Sequence, residues 1–445
     1  MVQISCAEHP THPEQTRART MISPMLRPRA VAGRSLFSHA RIKVILFLAA
    51  TASIALGSAV PARGQNRFWI TNAGGDFSSS ANWSTTAGGA GGATPPGAAE
   101  VANFMLSRLY TVSFAANVTN TGLLVGNDSV TFDLNGNVYT ITGATGTRIG
   151  TAAVQTSRLT IKDGTLGVDT AGDRISVGAA ATASGFLTIT TGGRLGNGIS
   201  DADVFVGESG TGTLTVEDNG RADVGFLNLG QVAGATGTVT ISGPNAVVDT
   251  SKFVSVGLHG TGTLNIQNSG TMSTVDYVRI GTVLGSSGTV TISGFESTWT
   301  QANWLTIGDA GSGSITVQAA AAMSTANAVS IGYQATGVGT AIVTGADSKW
   351  DMASAMEIGG SGHGYFAISG GGRATTAGTT SIGTSLGSVG NVFITGAGSR
   401  WSTRDITLGN AGVGNLTISD AGVANTNGNV TVTKKLSGYW HCRKW

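Results

Sequence analysis

Along most of this chain apolar residues stand at alternate positions with Thr, Ser or Asn between them, as in Thr213-Leu-Thr-Val216, Thr289-Val-Thr-Ile292 and Asn391-Val-Phe-Ile394. A spacing of two places the apolar set on one side of an extended strand, so each segment predicts a half-buried β-strand. Helical spacing is absent. The strands recur with a glycine at their end: Ile175-Ser-Val-Gly178, Val204-Phe-Val-Gly207, Leu227-Asn-Leu-Gly230, Val254-Ser-Val-Gly257, and onward to Ile406-Thr-Leu-Gly409. From Gly207 to Gly409 the successive intervals are 23, 27, 24, 27, 24, 27, 24 and 26 residues. Two units therefore alternate, and the full period is 50 or 51 residues.

The short unit opens with Gly-x-x-Gly-x-Gly, as at Gly207/Gly210/Gly212 and Gly308/Gly311/Gly313. The long unit spaces its glycines more widely, as at Gly281/Gly288/Gly294 and Gly383/Gly390/Gly396. Glycine supplies positive φ at turns without steric cost, so each unit reads as two or three short strands joined by glycine turns. Either unit is the length of one turn of a β-helix. The expected fold is all-β: a single-stranded, right-handed, parallel β-helix or solenoid of about a dozen alternating 24- and 27-residue rungs. Val, Leu and Ile fill its interior. A β-propeller, with blades of about 40–50 residues, fits the double period, but one half-period already holds a complete strand–Gly–strand–Gly unit.

Composition sharpens this picture. Glycine accounts for 68 of 445 residues, while the hydrophobic fraction of 40% excludes a disordered low-complexity chain. The net charge of +2 conceals a division. Residues 1–64 carry eight bases and two acids, residues 434–445 four bases and no acid, which leaves 14 bases and 22 acids, or −8, for residues 65–433. Those bases are scattered in sequence, which argues against nucleic acid and anionic membranes as partners. Val44–Val60 is the one long apolar stretch, preceded by Arg41 and Lys43 and followed by Ala62-Arg-Gly64 before Gln65. That is the form of a secretory signal peptide, and no membrane insertion of the mature part is expected. Cys6 lies ahead of the cut and Cys442 is left unpaired, so stacking rather than disulfides must hold the fold. The expected division is an unstructured n-region and signal peptide (1–64), a capping module (65–122), the solenoid repeats (123–433) and an atypical tail (434–445). The tail reads as a truncation or frameshift.

Ser209-Gly-Thr-Gly-Thr-Leu-Thr-Val216 and Gly285-Ser-Ser-Gly-Thr-Val-Thr-Ile-Ser-Gly294, followed by Ser297-Thr-Trp299, resemble the β-strand repeats of bacterial autotransporter passengers. Asn82-Trp83 and Glu100–Phe104 resemble the module that often precedes such repeats. The resemblance covers roughly residues 68–433 and implies an exported cell-surface or secreted scaffold of structural or adhesin-like role. Glycans, extracellular matrix or other surface proteins would be its partners. The translocator barrel of that family has no counterpart in the sequence.

Candidate chemistry is sparse. Trp299, Trp350 and Trp401 recur at intervals of 51, with Val248 in the preceding copy; a column of this kind is either core or a sugar-stacking platform, and core is favoured. The Gly-x-x-Gly-x-Gly pattern lacks the following helix of a phosphate loop, so it is a turn. Asp201 with Asp203, and Glu217 with Asp218, are isolated turn pairs, too few for a calcium site. His259, His363 and His441 fall at different offsets in their units. The rival class is a polysaccharide lyase or glycoside hydrolase on a β-helix. Its acids would sit in the irregular stretch 150–207, where Asp163, Asp169, Asp173 and Arg174 lie. No catalytic, cofactor-binding or metal-binding residue is assigned from sequence, and no cofactor and no enzymatic activity are expected.

Overall fold

Each unit's leading glycine turns the chain through a left-handed residue (φ +71° at Gly207, +67° at Gly230, +73° at Gly257) and launches a new coil. In the computed structural model, residues 4–7, 65–168, 174–196, 202–433 and 441–444 are described. From Leu109–Ser113 onward every coil contributes a strand to each of three parallel faces, whereas in the first coil Trp83–Ser84 turns back antiparallel to Asn66–Trp69. Face A is a 14-stranded sheet running from Gly75–Asp76 to Val413–Ser419, with each strand hydrogen-bonded to the strand of the next coil. Twelve of those strands, from Ser129–Asp133 on, belong to the repeats. Face B is a stack of four-residue strands such as Val247–Thr250, Thr271–Thr274 and Thr298–Gln301. Face C holds three-residue strands such as Val254–Val256, Val278–Ile280 and Leu305–Ile307. Among the described residues the sole helical turn is the 3-10 turn Ser80–Asn82. The protein is a β-solenoid, as the strand pattern predicts.

The alternating strand code fills the interior. In one coil Leu214 and Val216 of face A, Ala222 and Val224 of face B, and Leu227 and Leu229 of face C all point inward and are fully buried. Each fully buried Val or Leu contributes about 1.5–3 kcal/mol. Stacking repeats that gain coil after coil.

The two unit lengths arise at corners. From its leading glycine to the glycine of face A a short coil takes five residues (Gly257 to Gly262) and a long coil seven (Gly281 to Gly288). From that glycine to face B the intervals are nine (Gly262 to Thr271) and ten (Gly288 to Thr298). The strands themselves keep their length. At the corner from A to B a short coil places two left-handed residues in succession, Asn268 and Ser269 (φ +51° and +69°) or Ala319 and Ala320 (φ +54° and +68°). The serine of the following long corner satisfies the second of them: Ser269 N–H donates to Ser297 Oγ at 3.1 Å, Ala320 N–H to Ser348 Oγ at 3.0 Å and Gly371 N–H to Ser399 Oγ at 3.1 Å.

Glycine also serves here in a way that turn chemistry does not predict. Gly212, Gly237, Gly262 and Gly288 pair in register along face A, and a Cβ at any of them would collide with backbone. At Gly288 it would strike the carbonyl of Val256, which ends the coil two before, and the amide of Gly281 in its own coil. These positions require glycine because the chain passes over them, not for φ.

Parallel pairing begins at Asn66–Trp69, which pairs with Val101–Phe104, so the N-terminal segment is built as coils of the same stack. Its interior is aromatic. Trp69 packs edge-on against Trp83 (5.3 Å between centroids) and Phe104 against Phe132 (5.1 Å), while Phe77 stacks on Phe114 (4.8 Å). Buried polar tips are satisfied locally: Trp83 Nε1 donates to Phe77 O (2.7 Å), Tyr110 Oη to Asp128 Oδ2 (2.5 Å) and Tyr139 Oη to Asn120 Oδ1 (2.8 Å).

Two measurements test this architecture. Gly288→Ala should cost at least about 2 kcal/mol in denaturant unfolding, whereas Gly285→Ala, where a side chain meets open space at φ +85°, should cost about 1 kcal/mol. Equal effects would mean the face A glycines are not crossed by backbone. The second concerns alkali. Burial, then the Asp128 carboxylate, pushes the Tyr110 hydroxyl far above its ordinary value, and burial does the same to Tyr139. Below pH 10 folded and unfolded chains both keep these protons; above it only the unfolded chain ionises, so stability falls by up to about 1.4 kcal/mol per pH unit for each tyrosine. Calorimetry should show a thermal midpoint that drops from pH 10 upward, less steeply in the Tyr110→Phe/Tyr139→Phe variant.

Candidate functional site

The structure first sorts the residues singled out by pattern. Trp299, Trp350 and Trp401 are fully buried on the inner side of face B, so the column is core. Each indole N–H donates to the threonine hydroxyl one coil earlier: Thr274 (2.7 Å), Thr325 (3.0 Å) and Thr376 (3.3 Å). In the intervening short coils Met272, Met323 and Ala374 face the indoles, leaving room for them. His259 lies at a corner with Nδ1 3.0 Å from Gln231 O, and His363 opens a face A strand four strands further along. At about 4.8 Å per strand they are about 19 Å apart and do not form a pair.

The acids behave differently from expectation. Asp203 and Glu217 are strand residues, in Ala202–Val206 and Thr211–Glu217, because the alternating pattern carries through them. Asp163 occupies the A-to-B corner beside Lys162 (3.7 Å), while Arg174 is on face C, so the irregular stretch does not gather them. Asp169, Asp173 and Asp201 lie outside the described residues, as do the signal segment and the side chains of Cys6, His441 and Cys442. No group of three or more His, Cys, Asp or Glu among the described residues is placed to hold a metal ion.

The chemistry sequence reasoning missed is the outer side of face C. Its strands have one outward residue, and successive coils set these in register: Ser176, Phe205, Asn228, Ser255, Arg279 and Thr306. Beside them runs the residue before each strand, Phe226, Phe253, Tyr277 and Trp304, aligned because each following amide donates to the next coil's carbonyl (Leu227 N to Phe253 O, Val254 N to Tyr277 O, Val278 N to Trp304 O). Phe226 and Phe253 are 4.2 Å apart; Phe253 and Tyr277 stack at 5.1 Å with planes 7° apart. A signal existed: every one of these aromatics immediately precedes the strand–Gly motif.

Several charges on face C are held in pairs, while Glu357, between Ser330 and Ser381 in the outward register, makes no ion pair with a described residue. Glu208, almost buried, bridges Arg174 (2.6 Å) and approaches Arg148 (3.9 Å), and Arg174 lies 4.1 Å over the Phe205 ring. Lys252 reaches Asp203 (3.3 Å) and sits over Phe226 (4.6 Å); Arg279 meets Asp309 (3.4 Å). The row ends in the solvent-facing Trp304 at 62% exposure, and a second exposed ring, Tyr333 at 49%, stands at the corner just after Gly332. Beyond Trp304 the same position is Ala328, then Ala355, so the indole has no ring neighbour on that side. The arrangement suits contact with a flat or ring-shaped ligand more than proton transfer.

The bases that look scattered in sequence are not all scattered in space. The spacing of Lys349, Arg373 and Arg400 matches the coil and sets them in one register column on face B.

Fold and surface together define an all-β repeat scaffold of the β-solenoid class. Among known proteins the chain is similar to the adhesin BmaC autotransporter of Brucella suis biovar 1 (strain 1330), with 36% identity over 126 residues, covering 27% of this chain and 4% of that protein. No family model matches, and no solved structure matches. Among the described residues no helix is long and apolar enough to cross a membrane.

Replacing a core tryptophan tests the division between inside and outside. Trp350→Ala should lose about 3–5 kcal/mol of stability, and Trp304→Ala well under about 1 kcal/mol, measured by denaturant unfolding.

Proposed function

We propose that this chain is an exported, non-catalytic adhesive scaffold whose coils display binding side chains at the cell surface. The observation that carries the reading is the outer side of face C, where aromatic rings line up from coil to coil and end in the exposed Trp304, with the exposed Tyr333 at the corner after Gly332. Beside the aromatic rings three carboxylates are engaged with cations: Asp203 with Lys252, Glu208 with Arg174 and Asp309 with Arg279. A lyase or hydrolase needs a carboxylate or base free to move a proton at the substrate. The partial similarity to an autotransporter adhesin supports surface display. Glycans, matrix components or other surface proteins are the partners this surface suits.

A glycan array run with a reducing-sugar release assay on the same ligands tests the reading. Selective binding without release is expected, and it should weaken in Trp304→Ala. Release of reducing ends from any polysaccharide would assign the chain to the enzymes instead.

A further inference from the structure

We infer that the outer side of face B in the late coils is a binding strip for an acidic polysaccharide, centred on the column Lys349, Arg373 and Arg400. This names a ligand class within the adhesive reading and rests on it. The three residues open the face B strands Lys349–Met352, Arg373–Thr376 and Arg400–Thr403, which pair in register coil on coil. All three side chains are exposed, and among the described residues none of them has an ion-pair or side-chain hydrogen-bond partner.

Like charges directly opposite in a ladder destabilise it. The same column shows how this chain neutralises a cation when structure alone is at stake. Upstream, Arg221 is clamped by Asp223 two residues on (2.7 Å) and Asp249 one coil on (2.5 Å), and Arg194 also reaches Asp223 (3.5 Å). At the position two residues on, the late coils carry Asp351, Thr375 and Ser402. Asp351 stands on the Lys349 strand outside ion-pairing distance, as does Asp347 at the preceding corner, and Arg373 and Arg400 have hydroxyls where Arg221 has a carboxylate. Around Arg373 and Arg400 neutral hydrogen-bonding groups stand where acids silence the upstream arginines, and of the three late positions that beside Lys349 keeps an acid, Asp351.

Beside this column the surface is concave. A cleft of about 320 Å³ is lined by Thr375, Ser402, Arg404, Asn425 and Asn427, which adds hydroxyls and amides. Charges about 4.8 Å apart along the stack, next to groups that pair with sugar hydroxyls, suit a chain carrying sulfates or carboxylates. Single-stranded nucleic acid is a poorer match, because no aromatic ring lines the cleft to stack on bases. A membrane surface is poorer too, since the lining offers no large apolar side chain to insert.

The test measures binding of the full chain to immobilised chondroitin sulfate, polygalacturonate, a neutral cello-oligosaccharide and duplex DNA across a salt series. Binding to one or both acidic polysaccharides is expected, weakening as salt rises, with little retention on the neutral sugar; the two arms separate sulfate from carboxylate recognition. Each of Lys349→Gln, Arg373→Gln and Arg400→Gln should weaken it about threefold, and the triple variant about thirtyfold with a shallower salt dependence. Arg221→Gln, in the paired part of the column, should leave binding unchanged. The triple variant should melt no lower than the parent, because removing repulsion does not loosen the ladder. Tighter binding to DNA than to either polysaccharide, or undiminished polysaccharide binding by the triple variant, overturns the inference. A parent protein that adheres to cells or matrix yet ignores both acidic polysaccharides also overturns it while leaving the adhesive reading intact; a parent that adheres to nothing removes both.

Discussion

The stack depends on a close crossing of backbone over backbone at the corner between faces C and A. There the amide of each coil's leading glycine passes against the glycine five or seven residues later, as Gly207 does over Gly212 and Gly230 over Gly237. The same face A glycine also lies against the carbonyl that ends the coil two before, Val177 for Gly212 and Val206 for Gly237. A side chain at this point would push two coils and one corner apart together. Because the glycines pair in register, the constraint propagates along the stack and fixes where each coil begins. The strand pattern then has little freedom left: six inward positions, two per face, and outward positions open to variation.

That division explains what was legible in the chain. The fold could be read because interior and corner requirements repeat, and repetition makes them visible as two alternating intervals. The role of the tryptophan column was readable from Val248, since a position that accepts valine is seldom a ligand platform. Binding chemistry was harder to see. The face C aromatics are each a whole coil apart along the chain, and only the coil geometry makes Phe253 and Tyr277 neighbours. The same is true of Lys349, Arg373 and Arg400, which a linear count of charge treats as isolated. Asp203 was misread as a turn residue because glycines crowd the sequence just before it (Gly193, Gly196, Gly198), whereas pairing with the neighbouring coils draws it into a strand.

Pairing of unlike coils also gives the interior its order. An indole in a long coil needs a smaller residue facing it and a hydroxyl one coil earlier, and the short coil supplies both, as Met323 and Thr325 do for Trp350. The corners follow the same rule, with the serine of the long corner capping the left-handed residue of the short one. Identical coils would supply neither complement.

The alternation has a consequence for how such a chain changes length over generations. An insertion or loss of one coil would set two corners of the same kind against each other, leaving left-handed amides without their serine and indoles facing indoles. A gain or loss of two coils restores every neighbour. The heritable unit is therefore the pair of unlike coils, and proteins built this way should differ in length by whole pairs. An outward row can be lengthened by such a step without disturbing any residue inside.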